Sequence, residues 1–154
     1  LKTNHEIDSL LTLTFDWAKK HEAIILSNGI ELTADQEIDA FLTGVKEAKK
    51  IRLLKSDPIP LPHSPILKAK LEELGLLNSN TFGLTLGYGI YIKSDHWNKR
   101  EILVHEFAHV MQYEKFGFKE FLFHYISECL SPGYPFGSLE AEARKIEKEI
   151  CSSH

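Results

Sequence analysis

The sequence predicts an α+β domain, several amphipathic helices with a small antiparallel β ribbon beside one of them. Two observations carry this. Apolar residues recur three and four apart over most of the chain, the signature of half-buried helices. One stretch, 81–93, instead alternates with a period of two. A length of 154 residues, 43% hydrophobic and 26% charged, fits one globular domain. No repeat or shift of composition divides it. We distinguish an N-terminal helical part, about 1–80, from a part carrying the candidate chemistry, about 81–154.

The elements follow in order. Ile7, Leu10, Leu11, Leu13, Phe15, Trp17 and Ala18 keep mostly helical spacing behind a Thr3-x-x-Glu6 capping box, and Asn28-Gly29 ends that helix. A second box, Thr33-x-x-Gln36, opens a helix whose apolar positions Ile38, Phe41, Leu42, Val45 and Ala48 carry it to about Lys50. Ile51–Lys55 reads as a short strand, because Pro58, Pro60, Pro62 and Pro65 follow and forbid a continuing helix. Ser64-Pro65 starts a short helix that Gly75 stops. In Thr81–Lys93 the residues Phe82, Leu84, Leu86, Tyr88, Ile90 and Ile92 share a face if the segment is one strand. Its thirteen residues are long for a strand, and Gly87-Tyr88-Gly89 offers a tight turn, so a hairpin is preferred. Helices are then expected over 98–115, 119–130 and 138–150, broken by Gly117 and by a Ser131-Pro132-Gly133 loop.

A net charge of −4 gives no diffuse attraction to phosphate backbones, which argues against a nucleic-acid partner. No apolar run is long enough for a membrane span. Cys129 and Cys151 lack metal-site or disulfide-scaffold spacing. The compartment stays open: the absence of a signal segment after Leu1 slightly favours the cytoplasm, and secretion is compatible with a processed N-terminus.

His105-Glu106-Phe107-Ala108-His109 is an H-E-x-x-H motif inside a segment that periodicity already makes helical. An i, i+4 pair projects both imidazoles from one face, so one zinc ion can take a nitrogen from each. Glu106, turned about 100° around the helix, flanks the ion instead of ligating it. From there it can take a proton from a zinc-acidified water and pass it to a leaving nitrogen. With 8 His and 16 Glu in 154 residues, about 0.04 such matches are expected by chance. Ile102, Leu103, Val104, Phe107, Ala108, Val110 and Met111 make this helix apolar almost all round. Two histidines and a glutamate in such surroundings need partners.

A third ligand is required. H-E-x-x-H-x-x-G-x-x-H fails, since Gln112 and Lys115 occupy the next positions. A glutamate from a later helix is the other common solution, and 138–144 offers Glu140 and Glu142. Glu140 is preferred; Glu128 and His124 are outsiders. Glu140 also has an ordinary reading, as an acidic residue in the first turn of a helix.

His105-Glu106-x-x-His109 followed by Glu140-x-x-Ala143 resembles the gluzincin type of zinc metallopeptidase. Thr85-Leu86-Gly87-x-x-Ile90-Tyr91-Ile92, His109-Val110-x-Gln112-Tyr113 and Phe121-Leu122-x-x-Tyr125 are similar to small bacterial zincin-like domains, so the likeness spans about 81–147. It implies a zincin-like fold, Zn2+ held by His105, His109 and Glu140, Glu106 as general base, and a peptide or protein substrate. Many gluzincins place an Asp four residues after the ligand Glu to support a zinc-bound histidine; this chain has Arg144, so that support has to come from elsewhere. Gln112 is placed to contact the site through its amide. Tyr125, His124 and Tyr134 are candidate donors to an oxyanion, each with a packing role as its alternative. Residues 89–93 are placed either to pair with an extended substrate as an edge strand or only to cover the active-site helix. The competing function is a catalytically inactive, zinc-stabilised interaction module, and a third reading has no metal at all.

Overall fold

The computed structural model describes residues 4–76, 81–134 and 136–153. Its elements run α1 (Asn4–Asn28), β1 (Ile30–Glu31), α2 (Ala34–Thr43), β2 (Arg52–Lys55), α3 (Pro65–Glu73), β3 (Gly83–Leu86), β4 (Gly89–Ile92), α4 (Arg100–Phe116), α5 (Phe118–Glu128) and α6 (Ser138–Ser153). The α+β class holds, but the sheet is larger than a ribbon and is mixed. Four strands lie in the order β1-β2-β4-β3, with β2 parallel to β4 and the other pairs antiparallel.

Local chemistry explains most boundaries. The Thr33/Gln36 capping box opens α2, with the Thr33 hydroxyl accepting from Gln36 N at 3.2 Å and the Gln36 amide accepting from Thr33 N at 2.9 Å. α2 stops at Thr43, seven residues before the expected end near Lys50. Gly44 closes it at φ 107° in the left-handed region, where a side chain is strained. Val45 is buried in the core beyond the helix, and Ala48–Lys50 form a separate 3-10 turn. Ser64 caps α3, with Pro65 at its first position. Cys129–Gly133 make one wide π turn continuing α5, where a loop was expected from Ser131. The Thr3-x-x-Glu6 box lies outside the described residues.

The 81–93 segment folds as a hairpin about Gly87-Tyr88, with Gly87 at φ 65° as its first turn residue. The reversal splits the face that a single strand would have had. Leu84, Leu86 and Tyr91 join Leu54 on the side that packs against α1, whereas Ile90 and Ile92 join Leu53 against α4. Gly89 lets α1 approach, because a Cβ there would meet Ile25 Cβ at 2.9 Å. The α1 side, completed by α3 and α5, forms one apolar cluster, and α2 and α4 form the other.

Because β4 lies between β2 and β3, residues 89–92 are not an edge, which removes the edge-strand reading of 89–93 and leaves the alternative in which the hairpin covers the helix. β2 claims the side of β4 that an added strand would need. The edge beside α4 belongs to β3, where the Tyr113 hydroxyl already donates to Thr85 O at 3.3 Å. Lys93 N donates to Phe82 O, so alternation along β3 turns the backbone N–H groups of Gly83 and Thr85 outward.

Candidate metal centre

α4 packs lengthwise against α6, and the facing sides of these helices carry the polar residues that the core would otherwise exclude. His105 and His109 stand one turn apart on α4. Glu140, in the first turn of α6, reaches between them: its Oε1 lies 2.9 Å from His105 Nε2 and 3.0 Å from His109 Nε2. One ligand atom from each of the three residues falls within 4.8 Å of the others, a spacing that could hold a metal ion. Glu140 is only 8% exposed, so it is more than a solvated acid at a helix N-terminus.

The groups behind the histidines define which ring atoms face the centre. Gln112 Nε2 donates to Leu139 O at 3.0 Å and to Glu142 Oε1 at 2.8 Å, both pure acceptors. Its Oε1 is therefore the atom 2.8 Å from His109 Nδ1, which must carry the hydrogen. His105 Nδ1 likewise faces a carboxylate, Glu147 Oε1 at 3.0 Å. Both neutral rings would then aim Nε2 lone pairs at the same carboxylate oxygen, three acceptors converging on one point. Only positive charge relieves that arrangement, as protons on the rings or as one cation between the three atoms. The donor set of two imidazoles and a carboxylate thus fits a metal ion.

The same geometry governs the protonic alternative. Burial works against charge on His105, but its hydrogen bond to Glu140 and the charges of Glu106 and Glu140 outweigh burial and hold the imidazole at about 9. His109 moves in the same direction: burial opposes its charge, and Glu140 overcomes that opposition. Burial alone would raise Glu140, yet the hydrogen bonds from both histidines pull it well below the usual carboxylate range.

Glu106 sits beside this group without entering it. The Thr85 hydroxyl lies 2.8 Å from its Oε1, and its other oxygen has no partner among the described residues. Gly83 makes room: a Cβ there would lie 3.2 Å from Glu106 Cγ. Glu106 lines two cavities that meet at Thr81, Gly83, His105 and Tyr134.

No protein family, curated protein or solved structure matches the chain. The chemistry of the site rests on its own atoms. Glu142, the alternative ligand, turns to Gln112. Glu128 accepts from Leu139 N and from the Ser138 hydroxyl, capping α6. His124 meets Phe116 at a tilt and Phe123 edge-on, and lines neither cavity. The Tyr125 hydroxyl donates to Glu140 Oε2 at 2.5 Å, which commits its proton to orienting that carboxylate. Tyr134 remains on the shared wall. Burial, with Glu140 and Glu106 nearby, raises its pKa and keeps it protonated. Cys129 is pushed up to about 12, chiefly by burial, and stays a thiol. Thr85, Glu147 and the clamping role of Gln112 are contacts that sequence reasoning missed. One signal was available, since Glu147 lies seven residues after Glu140, two turns along the same face.

Proposed function

We propose that the chain is a zinc-dependent peptidase, with zinc held by His105, His109 and Glu140 and with Glu106 as general base. The carrying observation is the Glu106 carboxylate, held at one oxygen by Thr85 and free at the other, beside the three-residue group and at the mouth of two cavities. Two histidines and a carboxylate also suit ferrous iron; the flanking carboxylate favours hydrolysis, because a positioned base is what that reaction requires. The likeness to gluzincins supports the reading.

A zinc ion in this place supplies Lewis acidity and acidifies water to near neutrality. The chain does the rest. Glu106 takes the proton of the attacking water on the oxygen not bound to Thr85 and returns it to the leaving amine. Tyr134 donates its hydroxyl hydrogen to the developing oxyanion. Glu147 and Gln112 fix the two rings so that Nε2 faces the ion, the task an Asp at the position of Arg144 would otherwise share. An extended peptide adds to the outer edge of β3 at Gly83, since the Thr85 carbonyl is already taken by the Tyr113 hydroxyl.

Glu106→Gln tests the proposal. It keeps size and ligands but removes the base, so zinc content and thermal stability should stay nearly unchanged while hydrolysis of a mixed peptide library falls about 10²–10⁴-fold. If zinc-loaded wild type cleaves no peptide, the zinc-stabilised module takes its place; if the variant cleaves as fast as wild type, Glu106 is not the base and this mechanism is wrong.

A further inference from the structure

The cavity on the α1 side of the site is partly enclosed and mostly apolar. Trp17 and Ala18 of α1, Leu71 of α3, Leu84 of β3, and Leu122 and Ile126 of α5 contribute to its wall. Its charged lining residues, His105, Glu106, His109 and Glu140, all belong to the candidate centre, so charge is confined to one end. The Thr14 hydroxyl, also in the wall, is already bonded to Leu10 O at 2.7 Å. The Trp17 indole N–H has no acceptor among the described residues, but it is fully covered and so offers the cavity no donor. The cavity measures about 140 Å³, and an apolar cavity of about 150 Å³ holds one benzene ring. On the other side of His105 lies the open cleft, lined by Phe82, Glu101 and Glu147.

We propose that this cavity receives one large apolar side chain of the ligand presented to the His/His/Glu group, and that α1 and α3 serve to build it. On the peptidase reading, on which the identity of that ligand rests, the side chain belongs to a residue flanking the cleaved bond. A leucine, methionine or phenylalanine fits the volume. Acidic and basic side chains are excluded, since the far wall offers no partner for a charge. This assigns a role to the N-terminal part of the chain, which the metal motif leaves without one.

The test uses the whole zinc-loaded chain and a library randomised on both sides of the scissile bond. One flanking position should favour Leu, Met or Phe over Ala, Asp or Lys by about 10–200-fold in kcat/KM. Ala18→Leu, which fills the cavity, should move that preference to Ala or Val. Leu71→Ala, which enlarges it, should move it towards Trp. Because either substitution can weaken the fold, a second measurement uses the unaltered, metal-free chain. Benzene should bind saturably and shift the Trp17 indole resonance. Cleavage with no side-chain preference, or with the wild-type preference in a folded Ala18→Leu variant, overturns the pocket and leaves the peptidase reading standing. If nothing is cleaved, the peptidase reading fails alone and benzene decides the pocket: saturable binding at Trp17 supports it, and no binding overturns it.

Discussion

Gln112 is fully buried, and both polar atoms of its amide are in use, Oε1 on His109 and the two Nε2 hydrogens on Leu139 and Glu142. Gln112→Leu keeps the volume but releases His109 and leaves the Leu139 carbonyl without this donor. Zinc affinity should fall about 10–100-fold, as for other lost partners of metal-bound histidines. Glu140→Ala should cost more, because it removes a ligand. Competition against a chromophoric chelator measures both, and wild-type affinity in Gln112→Leu would show that the clamp is idle. Gly83→Ala presses on Glu106 without touching a ligand: zinc content should hold while turnover drops up to about 10-fold, since small misplacements of a catalytic group are costly. At this scale the sequence showed what lies within one helical turn. His105, Glu106 and His109 are legible as a motif because one helix carries all three. Thr85 reaches the site across a gap between elements, and no local pattern records that distance; Glu147 is marked only by its spacing from Glu140.

Helix and strand positions were legible wherever capping and turn chemistry mark them, as at Thr33/Gln36, Ser64-Pro65 and Gly117. α2 was read too long because Val45 and Ala48 continue the apolar spacing past a glycine whose backbone is no longer helical. Gly44→Ala should cost about 1–2 kcal/mol, the strain of a side chain in the left-handed region, measurable by urea unfolding; an unchanged midpoint would mean that the segment relaxes freely. The two-residue strand β1 and the β2–β4 pairing were not legible, since two-residue strands lack periodicity and parallel partners lie far apart in sequence. α1 meets β4 through His21, whose Nδ1 lies 2.7 Å from the Tyr91 hydroxyl. Burial, then the charges of Lys20 and His63, lower the His21 pKa below 6.5. The unfolded chain therefore binds the proton more readily, and the linked stability is fully present above pH 6.5 and lost as pH falls through the lower folded value. Stability of His21→Gln should depend less on pH across that interval. An identical pH slope in the variant would assign the acid sensitivity to other groups.

No described helix is long and apolar enough to cross a membrane. Across the whole molecule, the sheet binds the two parts of the chain together. A fragment of 81–154 would lose β2 from one side of β4 and α1 from the face bearing Leu84, Leu86 and Tyr91. It should fail to fold even with zinc, by circular dichroism and size-exclusion chromatography; a monomeric, folded fragment would make the N-terminal part dispensable. In the intact chain, zinc at 100 times its dissociation constant should add about 2.7 kcal/mol of stability, read as a rise in Tm that a chelator reverses. Unchanged melting with and without zinc would argue against any folded-state site.

The parallel pairing of β2 with β4 also has a consequence for synthesis. Arg52 pairs with Gly89, so the ribosome must add 37 further residues before β2 meets its inner neighbour, about 2–7 s at ordinary elongation rates. During that interval β1 is the only strand partner β2 has. The face of α1 carrying Ala18 and Ile25 waits for β4 just as long. Nascent chains stalled before β4 emerges should therefore be cleaved readily by protease near β2, and chains stalled after α4 has emerged should be protected there. Equal protection at both lengths would mean that the N-terminal elements settle on their own.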